Sequence, residues 1–251
     1  MIVFRRVAVV LVAVSAGWGQ EPAVSTPEPG AKIWVGRHQE IEEYLRTAEC
    51  VSMKSLGSNF AAQCALRPGG PITRMAWRSQ PPGSSRGFSE SYKTEIAAYE
   101  LDKLLKMDMV PPTVERQLQD NMGAAQLWVE NVVSATDPAV PEGANRAHWQ
   151  SQLVRMAMFD SLIGNRARNQ GNMLRDRAWN LILIDQSRAF GTDTTPLPTP
   201  DVIDRGYWER IEKLTRKQLD AVLRPWLDDS QIGAILERRE RMRAEIKSRS
   251  K

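Results

Sequence analysis

Two oxygen-bearing side chains, Asn172 and Asp185, are the residues of this chain whose surroundings point to chemistry. Asn172 ends the stretch Asn165-Arg166-Ala167-Arg168-Asn169-Gln170-Gly171-Asn172, and Asp185 follows the apolar run Leu181-Ile182-Leu183-Ile184. A loop carrying an Asn, a short strand, a turn at 176–180 and an apolar strand ending at Asp185 predict one hairpin. Hard oxygen ligands of this kind suit Mg²⁺, which takes one or two protein oxygens and keeps several of its waters. Phosphoryl transfer uses such a pair to hold the ions that bridge nucleotide phosphates. It also uses a carboxylate a few residues before the Asn, to accept or orient a hydroxyl proton; Ala167 stands there. The competing structural reading has Asp185 capping a turn and Asn172 bonding that turn's backbone.

These residues need elements to position them. Residues 36–48 set Ile41, Tyr44 and Leu45 among Glu and Arg, an amphipathic helix. Residues 51–76 are broken by Gly57 and by Pro68-Gly69-Gly70-Pro71, which predicts antiparallel strands, with 60–66 and 73–77 flanking that turn. A Pro/Gly/Ser loop is expected at 80–87. Residues 88–107 predict a helix capped by Ser89 or Ser91, with Glu95 and Glu100 in its early turns and Ile96, Tyr99, Leu101, Leu104 and Leu105 as its apolar stripe. Residues 113–118 and 124–133 form a hairpin about 120–123, and the loop 134–145 marks a lobe boundary. Helix 146–163 precedes the Asp185 hairpin, and a Thr/Pro loop at 192–199 follows it. Helices at 204–224 and 228–247 close the chain. Strands then helices predict an α+β fold in two lobes: a small β-rich N-lobe (36–133) with one main helix, on a helical C-lobe (134–251).

The N-terminus reads differently from this body. Two arginines in 1–6, an apolar run at 7–16 and small residues through Gly19 follow the order of a secretory signal peptide (1–19). The apolar run is shorter than the about 20 residues a membrane span needs, and no later segment is apolar enough to cross. A Pro-rich linker (20–35) follows. The expected location is therefore periplasmic or secreted, with a retained N-terminal anchor as the alternative to a cleaved signal. Cys50 and Cys64 are the two cysteines, and an oxidising compartment permits one disulfide between them; two buried free thiols are the alternative. Two histidines, with no CxxC or HxxxH spacing, argue against a zinc-type site. The net charge of +4 has no basic block in the body, and 237–251 alternates Arg and Lys with Glu, a solvated helix face and not a nucleic-acid arm.

The run Ser91-Tyr92-Lys93-Thr94-Glu95-Ile96-Ala97-Ala98-Tyr99-Glu100-Leu101, then Val110-Pro111-Pro112-Thr113, together with the 165–191 motifs, resembles the atypical kinase fold of the four-jointed and Golgi casein kinase group. Bacterial relatives of that group, HipA-type kinases and phosphoinositide kinases share the broader pattern. The resemblance spans about 36–191 and implies a bilobal protein-kinase-like fold. It implies that Glu95 pairs with the nucleotide-binding cation and that Asn172 and Asp185 are metal ligands. It implies further that Val129-Glu130-Asn131 is the hinge edge facing a purine, and that Gly57 marks the phosphate-covering loop. ATP with Mg²⁺ or Mn²⁺ is the implied ligand set.

Three positions depart from that pattern. Arg78 stands where a phosphate-binding Lys is expected, replacing a compact ammonium by a planar fork. Gln186 follows the metal Asp where bacterial relatives usually have His. Ala167 occupies the catalytic-Asp place of the implied Asn-x-Asp-Arg loop, with Arg168 as its remaining catalytic candidate, and losing such a carboxylate costs about 10²–10⁴ in rate. The resulting expectation is an exported, bacterial-type pseudokinase with impaired phosphotransfer that still offers a nucleotide and metal site. One alternative is an active atypical kinase acting on a protein, sugar or lipid hydroxyl, with Asp160 or Asp176 replacing the lost carboxylate. The other is a nucleotide-independent scaffold with a protein partner.

Overall fold

The structure, a computed structural model, describes residues 31–249 apart from 59, 86, 87, 196 and 199. The expected signal peptide and residues 20–30 of the linker lie outside the described residues. Helix α1 (His38–Thr47) buries Ile41 and Leu45 one turn apart, as its amphipathic pattern requires. Three antiparallel strands follow: β1 (Cys50–Ser58), β2 (Ala61–Leu66) and β3 (Arg74–Arg78). Cys50 and Cys64 are joined by a disulfide across the β1–β2 hairpin, with Cα atoms 5.8 Å apart.

The expected loop at 80–87 is instead a small hairpin of β4 (Gly83–Ser85) and β5 (Phe88–Glu90). Helix α2 (Tyr92–Leu105) consequently starts later than the 88–107 pattern indicated. Ser91 is its N-cap, accepting from the Lys93 N–H, and Lys106 ends it in the left-handed conformation at φ 52°. The helix is buried almost all round, because one side meets the sheet and the other the helical lobe. Strands β6 (Thr113–Leu118) and β7 (Asn121–Leu127) then complete a five-stranded sheet in the order β1-β2-β3-β7-β6.

Past β8 (Val133–Ser134), helix α3 (Ala144–Ile163) leads into β9 (Met173–Arg175) and β10 (Leu181–Leu183), which form a small sheet with β8. The apolar run in β10 is buried on both faces. Ile182 joins the core of the five-stranded sheet, with Met75, Ala125 and Leu127, while Leu181 and Leu183 join the helical core.

The expected helix 204–224 is two helices, α4 (Arg205–Glu212) and α5 (Arg216–Leu223). Thr215 makes a capping box with Gln218 and so starts a new helix, a signal the sequence carries as Thr-x-x-Gln. Helix α6 (Asp229–Arg249) ends the described chain. Its charged face includes i,i+4 pairs such as Arg241–Glu237, but Arg238 is buried and donates to the carbonyls of Leu162, Gly191 and Asp193. Among the described residues no helix is long and apolar enough to cross a membrane.

Candidate active site

Glu95 and Arg78 meet because the first turn of α2 lies against the end of β3. The Arg78 Nε is 3.5 Å from the Glu95 Oε1, and its Nη1 is 3.5 Å from the Asp185 Oδ1. The other Glu95 oxygen accepts the Gln186 backbone N–H at 2.9 Å, tying α2 to the segment after β10. Glu95 is only 1% exposed. Burial pushes its carboxyl up to about 7; Arg78 pulls it down and Asp185 pushes it further up. Burial lowers the Arg78 pKa, but the Glu95 and Asp185 carboxylates outweigh it and leave it raised.

Asp185 takes the left-handed conformation at φ 60°, which turns the chain as it leaves β10. The Ser187 hydroxyl donates to its Oδ1 at 3.0 Å. Asn172 closes a 3₁₀ turn, Gln170–Asn172, that Asn169 caps by accepting the Gly171 N–H at 2.8 Å. The Asn172 carbonyl accepts the Ile184 N–H at 3.1 Å, so the hairpin brings the two expected metal ligands side by side.

A polar cavity of about 500 Å³ opens between the lobes, lined by Arg78, Glu95, Ala167, Asn172 and Asp185. Five of the residues selected from the sequence thus face one space. Arg78 also lines a second, more apolar cavity of about 520 Å³, whose walls include Leu56, Ala76, Leu174 and Ile184. Val129, Glu130 and Asn131 border that slot. The Glu130 carboxylate is engaged by Arg74, leaving its backbone as the group to offer a ligand. Gly57 lines neither cavity; it sits at φ 83° in the β1–β2 hairpin, and its neighbour Leu56 forms part of the slot.

Arg168 does not line the cavity that holds Ala167. Its guanidinium grips buried Asp160 and donates to the carbonyls of Asn172 and Ile184. Asp160 is therefore committed to Arg168, and Asp176 to the Asn180 backbone and side-chain N–H groups. Neither lines the cavity that holds Ala167. The Gln186 side chain is fully buried, and its amide has no hydrogen-bond partner among the described residues.

The structure adds residues that sequence reasoning missed. Glu90, at the end of β5, and Arg188 pair at 2.5 Å and line the same cavity as Asp185. No local spacing announces a pair 98 positions apart, and the β4–β5 hairpin that presents Glu90 was itself unforeseen.

No protein-family model and no curated protein sequence matches this chain. Solved structures do. The Golgi casein kinase superposes with a TM-score of 0.61 at 13% identity, over 84% of this chain and 74% of that one. It has also been solved with Mn and ADP bound. Hydra Fam20, solved with sugar, gives 0.57 at 15% identity, over 84% and 88%. The Helicobacter pylori proinflammatory kinase CtkA gives 0.51 at 10% identity, over 78% and 93%. At these identities the likeness is one of fold, and it agrees with the two lobes and the cleft between them. The chain has an atypical kinase-like fold.

Proposed function

We propose that this chain is an exported pseudokinase whose cleft binds a purine nucleotide with Mg²⁺ or Mn²⁺ and whose phosphotransfer is impaired. The observation that carries the reading is the polar cavity, where Asn172, Asp185 and Arg78 converge while Ala167 contributes a methyl group. The apolar slot beside it suits a base, and the Val129–Asn131 edge offers backbone groups to that base. Among the described residues no cluster of three or more His, Cys, Asp or Glu side chains could hold a metal. An Asn and an Asp with waters and phosphates to complete the shell are instead what Mg²⁺ or Mn²⁺ accepts. When bound, the cation neutralises phosphate charge. Asn172 and Asp185 would hold it, Arg78 would meet the phosphates, and Glu95 would orient Arg78.

The disulfide supports an oxidising compartment, in line with the signal-peptide pattern of 1–19. A second reading, an active atypical kinase with a protein, sugar or lipid hydroxyl as acceptor, draws support from one feature. Glu90 is a carboxylate in the cavity that lacks the expected Asp, although Arg188 already engages it.

Thermal stability in ATP with Mg²⁺ or Mn²⁺ tests the nucleotide reading. A ligand that binds only the folded form at about 100 times its Kd adds about 2.7 kcal/mol. For a chain of this size that raises Tm by roughly 5–10 °C. Asp185→Ala should remove the metal-dependent part. No shift with either metal leaves a nucleotide-independent scaffold as the function.

A further inference from the structure

We propose that Arg78 guards Asp185, so that a divalent cation and a nucleotide bind this cleft as a coupled pair and each binds poorly alone. This inference rests on the nucleotide-binding reading above and adds the order imposed by one side chain.

Arg78 stands between two carboxylates, one on α2 and one after β10. It lies 3.5 Å from each, a distance at which charge attraction persists but no hydrogen bond forms. Among the described residues the Arg78 guanidinium makes no side-chain hydrogen bond, whereas Arg168 and Arg188 are both bonded to carboxylates. Its side chain is 30% exposed and borders both cavities. A planar guanidinium has five N–H donors and matches phosphate geometry. Here, among the described residues, those donors are held beside the cavity by charge attraction to Glu95 and Asp185 alone.

The consequence concerns Asp185. One of its oxygens, Oδ1, already faces Arg78 and accepts from Ser187. A lone divalent cation approaching Asp185 is repelled by the guanidinium beside it. A lone phosphate chain approaching Arg78 must draw it from Asp185 and leave that carboxylate with the Ser187 hydroxyl but no cation. When both arrive, phosphate oxygens take the guanidinium and the cation takes the carboxylate, so each ligand relieves the cost the other meets. Such coupling is reciprocal and commonly amounts to about 5–150-fold in affinity.

The test uses Mn²⁺ and ADP on the whole folded chain. Mn²⁺ affinity is read without nucleotide from the electron paramagnetic resonance of the free ion, and ADP affinity is read by calorimetry with and without Mn²⁺. Wild type should bind ADP at least about tenfold tighter with Mn²⁺ than without it. Arg78→Gln should tighten nucleotide-free Mn²⁺ binding by about tenfold, weaken ADP and bring the coupling near one. Arg78→Lys, which keeps a cation in place, should retain the coupling. Asp185→Asn marks which Mn²⁺ signal belongs to this site. If Arg78→Gln leaves Glu95 buried without its cation and does not fold, Arg78→Gln/Glu95→Gln removes both charges and reads the same competition. ADP binding with unchanged Mn²⁺ affinity in these Gln variants overturns the guard and leaves the nucleotide reading intact. No ADP binding by wild type under either condition overturns both.

Discussion

Arg168 grips Asp160 with two arms: its Nε and Nη2 each lie 3.0 Å from a different carboxylate oxygen. Its third nitrogen donates to the carbonyls of Asn172 and Ile184, at 3.1 and 2.8 Å. The backbone segments that carry the two expected metal ligands are therefore pinned to α3 by a single buried ion pair.

Removing that pair by halves should be costly. Burial raises the Asp160 pKa, and Arg168 works against that shift. Arg168→Ala leaves an uncompensated buried carboxylate, an effect worth about 3–5 kcal/mol. Urea unfolding should show a loss of that size, and the Asp185-dependent ligand response should fall with it. A variant as stable as wild type contradicts the pinning role.

Ala167→Asp tests the missing group directly. It should leave nucleotide binding nearly unchanged and raise phosphate release or transfer by about 10²–10⁴. Turnover in wild type that the substitution does not increase would falsify the assignment of Ala167 as the degraded position.

Stability should depend on pH through Glu95. Its folded pKa lies at about 7 against an ordinary 4.5, so the folded state holds the proton more tightly than the unfolded chain. The stabilisation from Glu95 is then full below pH 4.5 and is lost as pH rises through 7. At about 1.36 kcal/mol per pKa unit the loss is roughly 3 kcal/mol. Asp102, pushed up to about 7 by burial although three backbone N–H groups serve it, acts in the same direction. Denaturation curves from pH 4 to 8 should fall more steeply for wild type than for Glu95→Gln. Parallel curves would contradict this account of Glu95.

The disulfide should matter to stability more than to fold. Closing a 14-residue separation contributes about 3 kcal/mol in the chain-entropy picture. Cys50→Ala/Cys64→Ala should fold and melt earlier, and a reducing agent should shift wild type alone. The hairpin it staples carries Leu56 to the apolar slot, so ADP affinity should also weaken. Equal Tm values for wild type and the double variant would show that the bond is thermodynamically silent.

The sequence-readable part of this molecule is the part governed by short-range pattern. The Asp185 hairpin, α1 and the strands about Pro68-Gly69-Gly70-Pro71 follow from turn residues and periodicity, because their partners are near in the chain. Arg78, Glu95 and Asp185 could be chosen from the sequence, but their meeting depends on three elements packed from distant segments. The β4–β5 hairpin was hidden because Ser, Gly and Pro also compose plain loops. Arg238 shows the same limit: it reads as part of a solvated helix face, and it is buried because distant carbonyls receive it. Arg168 reads as a catalytic-loop cation, and its commitment to Asp160 depends on packing against α3.

Strand β10 belongs to both lobes at once. Ile182 is packed into one core and its neighbours Leu181 and Leu183 into the other, so dismantling either core exposes one face of the same strand. The lobes should accordingly melt as one cooperative unit, with calorimetric and van't Hoff enthalpies in agreement. Opening of the cleft is then a pivot about a shared strand, and never a parting of two independent halves.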